Sequence, residues 1–401
     1  MWWRKALLAF GLACGHAAGP TRGAVGTGRL SRMPTSKSMK SIKLFVPLLM
    51  VGLLALMSGA FAKEELGPYQ LLTTISIPGN LSGGFDISWV DSASERYYLA
   101  ERTTVKGGGR IDVIDAEHDK FLYSIGGFRG NQGSRFNSGP AGVLVIHKEN
   151  ELWAGDGDST VKVVDLSAGP SAVPVAISTG GTLRADELAY DPIDHIILIA
   201  NDADTPPFVT FVSQEHRAVL GHISYPQAVF PDTPGGPAVN HGMEQPVWDR
   251  QTKKFYISVP ATVTNPDGEV DEIDPIAMSV TRVFPILTPC GPAGLAFLPG
   301  QRLITSCGVV LSVKTGGTLA TINGVAADEV WFNRGDERVY FGLNPLGVVD
   351  AETYQVITSI TVGPTHSVAA DSENNHIFVP VTGVGVKVFS ESDDQEGQSD
   401  K

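Results

Sequence analysis

Asp328-Glu329-Val330-Trp331-Phe332-Asn333, Arg338-Val339-Tyr340-Phe341-Gly342, Gly347-Val348-Val349-Asp350 and Gln355-Val356-Ile357-Thr358-Ser359-Ile360 are four consecutive short runs, rich in β-branched and aromatic residues and separated by polar turns. Runs of that length and composition are antiparallel strands joined by tight connections. Working outward, the opening phrase recurs seven times: a polar residue or Gly, four mostly apolar positions, then often Asp or Asn. The other six copies begin at Asp86, Gly142, Asp186, Glu244, Gly294 and His366. A second run follows each copy, as in Arg96-Tyr97-Tyr98-Leu99-Ala100 and His376-Ile377-Phe378-Val379-Pro380. A third often ends in Asp, at Asp115, Asp165 and Asp350.

Seven repeats of about 48 residues with four strands each predict an all-β, seven-bladed β-propeller. A β-sandwich of seven or more hairpins is the competing architecture. The seventh repeat has only three strands, while Leu71-Leu72-Thr73-Thr74-Ile75-Ser76-Ile77 stands alone before the first. The orphan is expected to complete the last blade, because joining the chain ends removes two open sheet edges. The propeller is assigned to residues 63–390.

Residues 1–62 hold eight Lys or Arg and no acid. Lys37, Lys40 and Lys43 precede the apolar run from Leu44 to Met57, and Ala60-Phe61-Ala62 offers the small residues of a cleavage site. This reads as a signal peptide behind a spurious N-terminal extension, with a mature start at Lys63 and a periplasmic or secreted product. No stable membrane insertion is expected after cleavage. All 43 acids lie beyond the leader but only 22 of the 30 basic residues do, leaving a net charge of about −21. Such a charge excludes nucleic acid as a partner held by bulk electrostatics. Two cysteines remain, Cys290 and Cys307, and in an exported chain they read as one disulfide. Residues 391–401 are acidic, lack apolar positions and are expected to be disordered.

The repeat shape, with phrases such as Gly347-Val348-Val349-Asp350-Ala351-Glu352-Thr353 and His366-Ser367-Val368-Ala369-Ala370-Asp371, resembles the YVTN-repeat family of exported bacterial β-propellers. More distantly it resembles the NHL and gluconolactonase-type propellers. The resemblance covers residues 68–390 and implies a fold, while the YVTN tetrapeptide itself is absent.

Superposing the repeats brings one set of side chains to one end of the channel. Asp186, Glu187, Glu244, Asp328, Glu329 and His366 converge there, joined from the turns by Arg102, Asn201 and Asn344, with Asp86 and Arg184 alongside. Asp186, Glu187, Glu244 and Asp328 are candidate ligands for Ca2+ or another divalent cation, since hard cations take six to eight oxygens in irregular geometry. Asp86, Arg102, Arg184, Asn201 and Asn344 are candidate ligand-binding residues. Equally, the carboxylates could serve only to join blades. The first expectation is a monomeric propeller that binds a small molecule or cation at this acidic rim, without defined catalysis. Resemblance to the lactonases implies an alternative, a metal-assisted hydrolase with Glu187, Glu244 and Asp328 as ligands and His366 or Glu329 as base; this sequence lacks their full ligand pattern, and whether it is an enzyme stays open. A third reading is a scaffold for a protein partner in the cell envelope. The insert from Tyr225 to His241 is expected as a lid or an ordered loop.

Overall fold

The computed structural model describes residues 68–103, 108–231, 238–239 and 242–392; the leader, the Gly107 turn, much of the 225–241 insert and the tail beyond Ser392 lie outside them. Seven four-stranded antiparallel sheets follow one another around a ring. Their innermost strands are Phe85–Asp91, Val143–Ile146, Leu188–Asp191, Pro246–Asp249, Leu295–Leu298, Glu329–Asn333 and Ala369–Ala370, in blades 1 to 7. Each innermost strand touches the next, and that of blade 7 touches that of blade 1. Burial follows the same geometry. Outer strands such as Ala218–Ser224 are largely exposed, whereas second strands such as Ile196–Asn201 are buried throughout.

The apolar core is divided into seven clusters, one at each junction between neighbouring blades. In blade 3, for instance, Leu188, Ile197 and Ile199 pack toward blade 2, while Ala189, Leu198 and Ala200 pack toward blade 4. This is the strand period of two applied to a sheet covered on both faces. A sandwich would instead share a single core between two sheets.

Ring closure is as the orphan strand predicts. Tyr69–Ile75 forms the outer strand of blade 7 and pairs with Gly385–Glu391, Tyr69 lying opposite Glu391. The last strand therefore runs one residue into the segment assigned to the tail.

The repeated Asp and Asn residues make the turns. At the end of the innermost strand, Oδ1 of Asp191, Asp249, Asn333 and Asp371 accepts a backbone N–H two residues on. At the end of the third strand, Asp165, Asp274 and Asp350 do the same. These are Asx turns, which fix the connection without a long loop. Just before every second strand one residue takes left-handed backbone, with φ between 53° and 59° at Glu95, Asn150, His195, Lys253, Gln301, Glu337 and Asn375.

Two glycines reveal how tightly the blades meet at the channel. A Cβ on Gly142 would lie 2.5 Å from Cα of Glu187, and one on Gly294 would lie 2.5 Å from the carbonyl oxygen of Asp328. The following blade's chain crosses those positions, so no side chain fits there. Cys290, ahead of blade 5, and Cys307, just beyond its second strand, form a disulfide with Cα atoms 5.6 Å apart. The 225–241 insert is anchored by buried Tyr225 and Ala228. It carries a two-stranded pairing of Phe230–Pro231 with Ala238–Val239. Among the described residues no helix is long and apolar enough to cross a membrane.

Candidate functional site

Two layers of polar side chains lie at the starts of the innermost strands. The upper layer is organised by two buried guanidiniums. Arg184 donates Nε to Asp202 Oδ1 at 3.0 Å and Nη2 to Asp202 Oδ2 at 2.8 Å, a planar two-point contact. Its Nη2 is also 2.5 Å from Asp186 Oδ2, and its Nη1 3.6 Å from Asp86 Oδ2. Arg102 pairs with Asp86 and donates Nε to the Pro140 carbonyl at 3.2 Å. His366 stacks on Phe85 with centroids 4.7 Å apart and places Nε2 3.5 Å from Asp86 Oδ1. Blades 1, 3 and 7 are thus linked through the rim.

These pairings act against the cost of burial. Burial lowers the Arg102 pKa to about 9, with the Arg184 charge adding to the effect. Arg184 is also buried, but Asp186 and Asp202 outweigh that and hold it above the usual arginine range. Burial pushes the Asp186 carboxyl up to about 7; Arg184 and Arg102 oppose the rise, whereas Asp202 and Asp328 add to it. His366 is shifted down by its confinement, which disfavours the imidazolium; Asp328 works the other way.

The lower layer sits one residue further along each chain. Ile87, Val143, Glu187, Gln245 and Glu329 line a cavity of about 390 Å3. Below them the walls become aromatic, with Trp89, Tyr190, Trp248 and Phe297. Its two carboxylates are supported differently. Glu329 accepts the Ser367 hydroxyl and, at 3.4 Å, the Val368 N–H, and Ser367 Oγ is in turn 2.9 Å from Ser88 Oγ. The Glu187 carbonyl accepts the Ala200 N–H at 2.9 Å, but its carboxylate receives no hydrogen bond and no ion pair from any described residue. Burial raises Glu329 to about 8 even with the Ser367 and Val368 donors holding it down. Burial raises Glu187 well above the carboxylate range, and Asp186, Glu329, Glu244 and Asp328 reinforce the shift. Glu244 is pushed up as well, by burial and then by Asp202 and Asp186.

The expected cation set is divided by these contacts. Asp186 is engaged by Arg184, and Asp328 is exposed. Among the described residues, no three of Asp186, Glu187, Glu244 and Asp328 bring one oxygen each within 4.8 Å of one another; the trio that does is Asp115, Glu117 and His118, at the end of blade 1's third strand. The rim donor set does not fit a hard cation, and no catalytic step through a metal is derived from it. Asn201 and Asn344, expected to face a ligand, are occupied elsewhere. Asn201 donates to Thr179 Oγ1 and accepts from Thr210 Oγ1, both at 2.8 Å, while Asn344 accepts the backbone amides of Val362 and Gly363. The aromatic wall was not singled out from sequence. The signal was available, since Trp89 and Phe297 stand two positions after Ile87 and Leu295 in the aligned repeats, on the same side of their strands.

No family model and no curated protein matches this chain. Solved structures do: the crystal structure of the WD40 β-propeller domain of Doa1 is 15% identical, with a TM-score of 0.59 over 81% of this chain and 97% of that one. The likeness establishes the seven-bladed fold. It carries no activity across, because the same scaffold serves unrelated functions.

Proposed function

We propose that this chain is an exported, monomeric propeller that binds a small organic ligand in its central channel at Glu187 and Glu329, and that it belongs with the YVTN-type propellers. The observation that carries the binding reading is Glu187, 7% exposed, facing a 390 Å3 cavity with no partner for its carboxylate among the described residues. No protein donor meets that carboxylate, so a ligand that supplies one gains a charge-assisted contact there. Aromatic walls beneath a few polar groups are the ordinary makeup of a small-molecule site. The hydrolase reading is set aside because, among the described residues, no three of Asp186, Glu187, Glu244 and Asp328 bring an oxygen each within 4.8 Å of one another.

The test uses the full-length gene expressed with its leader. N-terminal sequencing of the product recovered outside the cytoplasm is expected to begin at Lys63. Thermal melts of that product are then taken with amines, neutral sugars, amino acids, carboxylates and Ca2+. At least one organic class is expected to raise the melting temperature, with the shift lost in Glu187→Gln. A flat response to every class overturns the binding reading, and a shift with Ca2+ alone overturns the choice of ligand over metal.

A further inference from the structure

We propose that the channel ligand is an organic ammonium with an apolar body, taken up at Glu187 in exchange for a proton. This deepens the channel-binding reading and rests on it.

The charge arrangement selects the ligand. Around Glu187 stand Asp186 from its own strand start, Glu244 from blade 4, and Asp328 and Glu329 from blade 6. The cations nearest them are Arg184 and Arg102, and both are committed to Asp86, Asp186 and Asp202. A carboxylate or phosphate ligand would add another negative charge to this group. A neutral polyol could donate hydrogen bonds but brings no charge to set against this acidic group. A divalent cation lacks the gathered oxygens. A single ammonium supplies N–H donors and one positive charge at the position where both are missing.

The walls fit the rest of such a molecule. Trp89, Trp248 and Phe297 line the same cavity as Glu187. Aromatic faces attract cations through their quadrupole and bury the attached hydrocarbon. Gln245 is fixed in the cavity wall, its Oε1 accepting the Leu295 N–H at 2.7 Å.

The exchange balances simply. Without ligand, burial and the acidic neighbours favour the protonated, neutral form of Glu187. On binding, the O–H bond breaks, the proton passes to solvent, and the carboxylate accepts an N–H of the ammonium. Net charge in the site is unchanged. Below the pH at which Glu187 ionises in the free protein, affinity should therefore rise about tenfold per pH unit, levelling off above it.

Isothermal titration of the full-length product with 2-phenylethylammonium, in buffers of contrasting ionisation enthalpy, measures this directly. About one proton is expected to be released per ligand at acidic pH, the release falling as pH is raised. Glu187→Gln should abolish the release and weaken binding at least tenfold, and 2-phenylethanol should not bind detectably. Binding without proton release, or equal binding of the alcohol, overturns the exchange. A response to sugars or carboxylates but not to amines overturns the ammonium assignment while leaving a channel site intact. Silence toward every class removes the channel site itself. The pH series on the unaltered protein decides the question even if the variant folds poorly.

Discussion

Asp350 at the perimeter and Glu187 in the channel are both carboxylates at the edges of short strands, yet the fold drives them in opposite directions. Asp350 accepts the backbone amides of Thr353 and Glu352, and the Thr353 amide holds its carboxyl below the usual range. Glu187 meets no donor among the described residues and is pushed far above that range by burial and by its acidic neighbours. Residue type is shared; what differs is whether the backbone supplies the partner. Carboxylates at the turns stabilise the scaffold, while the channel carboxylates are held in place by the scaffold at a cost to it. That contrast marks the channel as the place where an outside partner is missing.

Removing the rim's principal cation should break the contrast most severely. Arg184→Met strands Asp186 and Asp202 in the channel mouth, and a loss of about 3–5 kcal/mol is expected in denaturant unfolding at pH 7. A smaller loss would mean that the rim carboxylates are already protonated there. A subtler test is the pH dependence of the ligand-free protein. Glu187, Glu329 at about 8 and Asp186 at about 7 keep protons in the folded state that the unfolded chain has released above about pH 4. The folded state binds more protons in that window, so the melting temperature should fall as pH rises from about 5 to about 9. Glu187→Gln should flatten the slope and stabilise the protein at pH 8 by about 1 kcal/mol; an unchanged slope would show that Glu187 does not titrate in that window. The mildest change is Asp350→Ala. It should cost about 1 kcal/mol through the lost turn and leave the pH slope as it was.

Much of this architecture is legible in the chain because it repeats. The Asp-capped turns, the four-strand period and the orphan strand at 71–77 are local patterns, and local patterns survive reading one sequence. The disulfide follows because only two cysteines remain in the predicted mature chain. The rim was legible as a list of acids, since the repeat brings Asp186, Glu187, Glu244, Asp328 and Glu329 into register. What the list does not contain is pairing. Arg184 reaches Asp202 at the far end of its own blade's second strand and Asp86 from blade 1, and neither contact follows from spacing along the chain. Asn201 and Asn344 share the rim's sequence position but turn to Thr179, Thr210 and the backbone at 362–363. Side-chain direction at a turn depends on what the neighbouring blade offers, and one repeat does not specify the next.

The strand at 69–75 also sets the order in which the molecule can assemble. Its partner, residues 386–391, lies beyond all the other blades along the chain, so the first blade-forming segment stays unpaired until that stretch is available. Until that strand is in place, the strand at 69–75 has no partner in blade 7 and the ring stays open between blades 7 and 1. Contacts this distant in sequence close slowly. The channel and its carboxylates therefore become a defined site late, at the step that joins the two ends of the propeller.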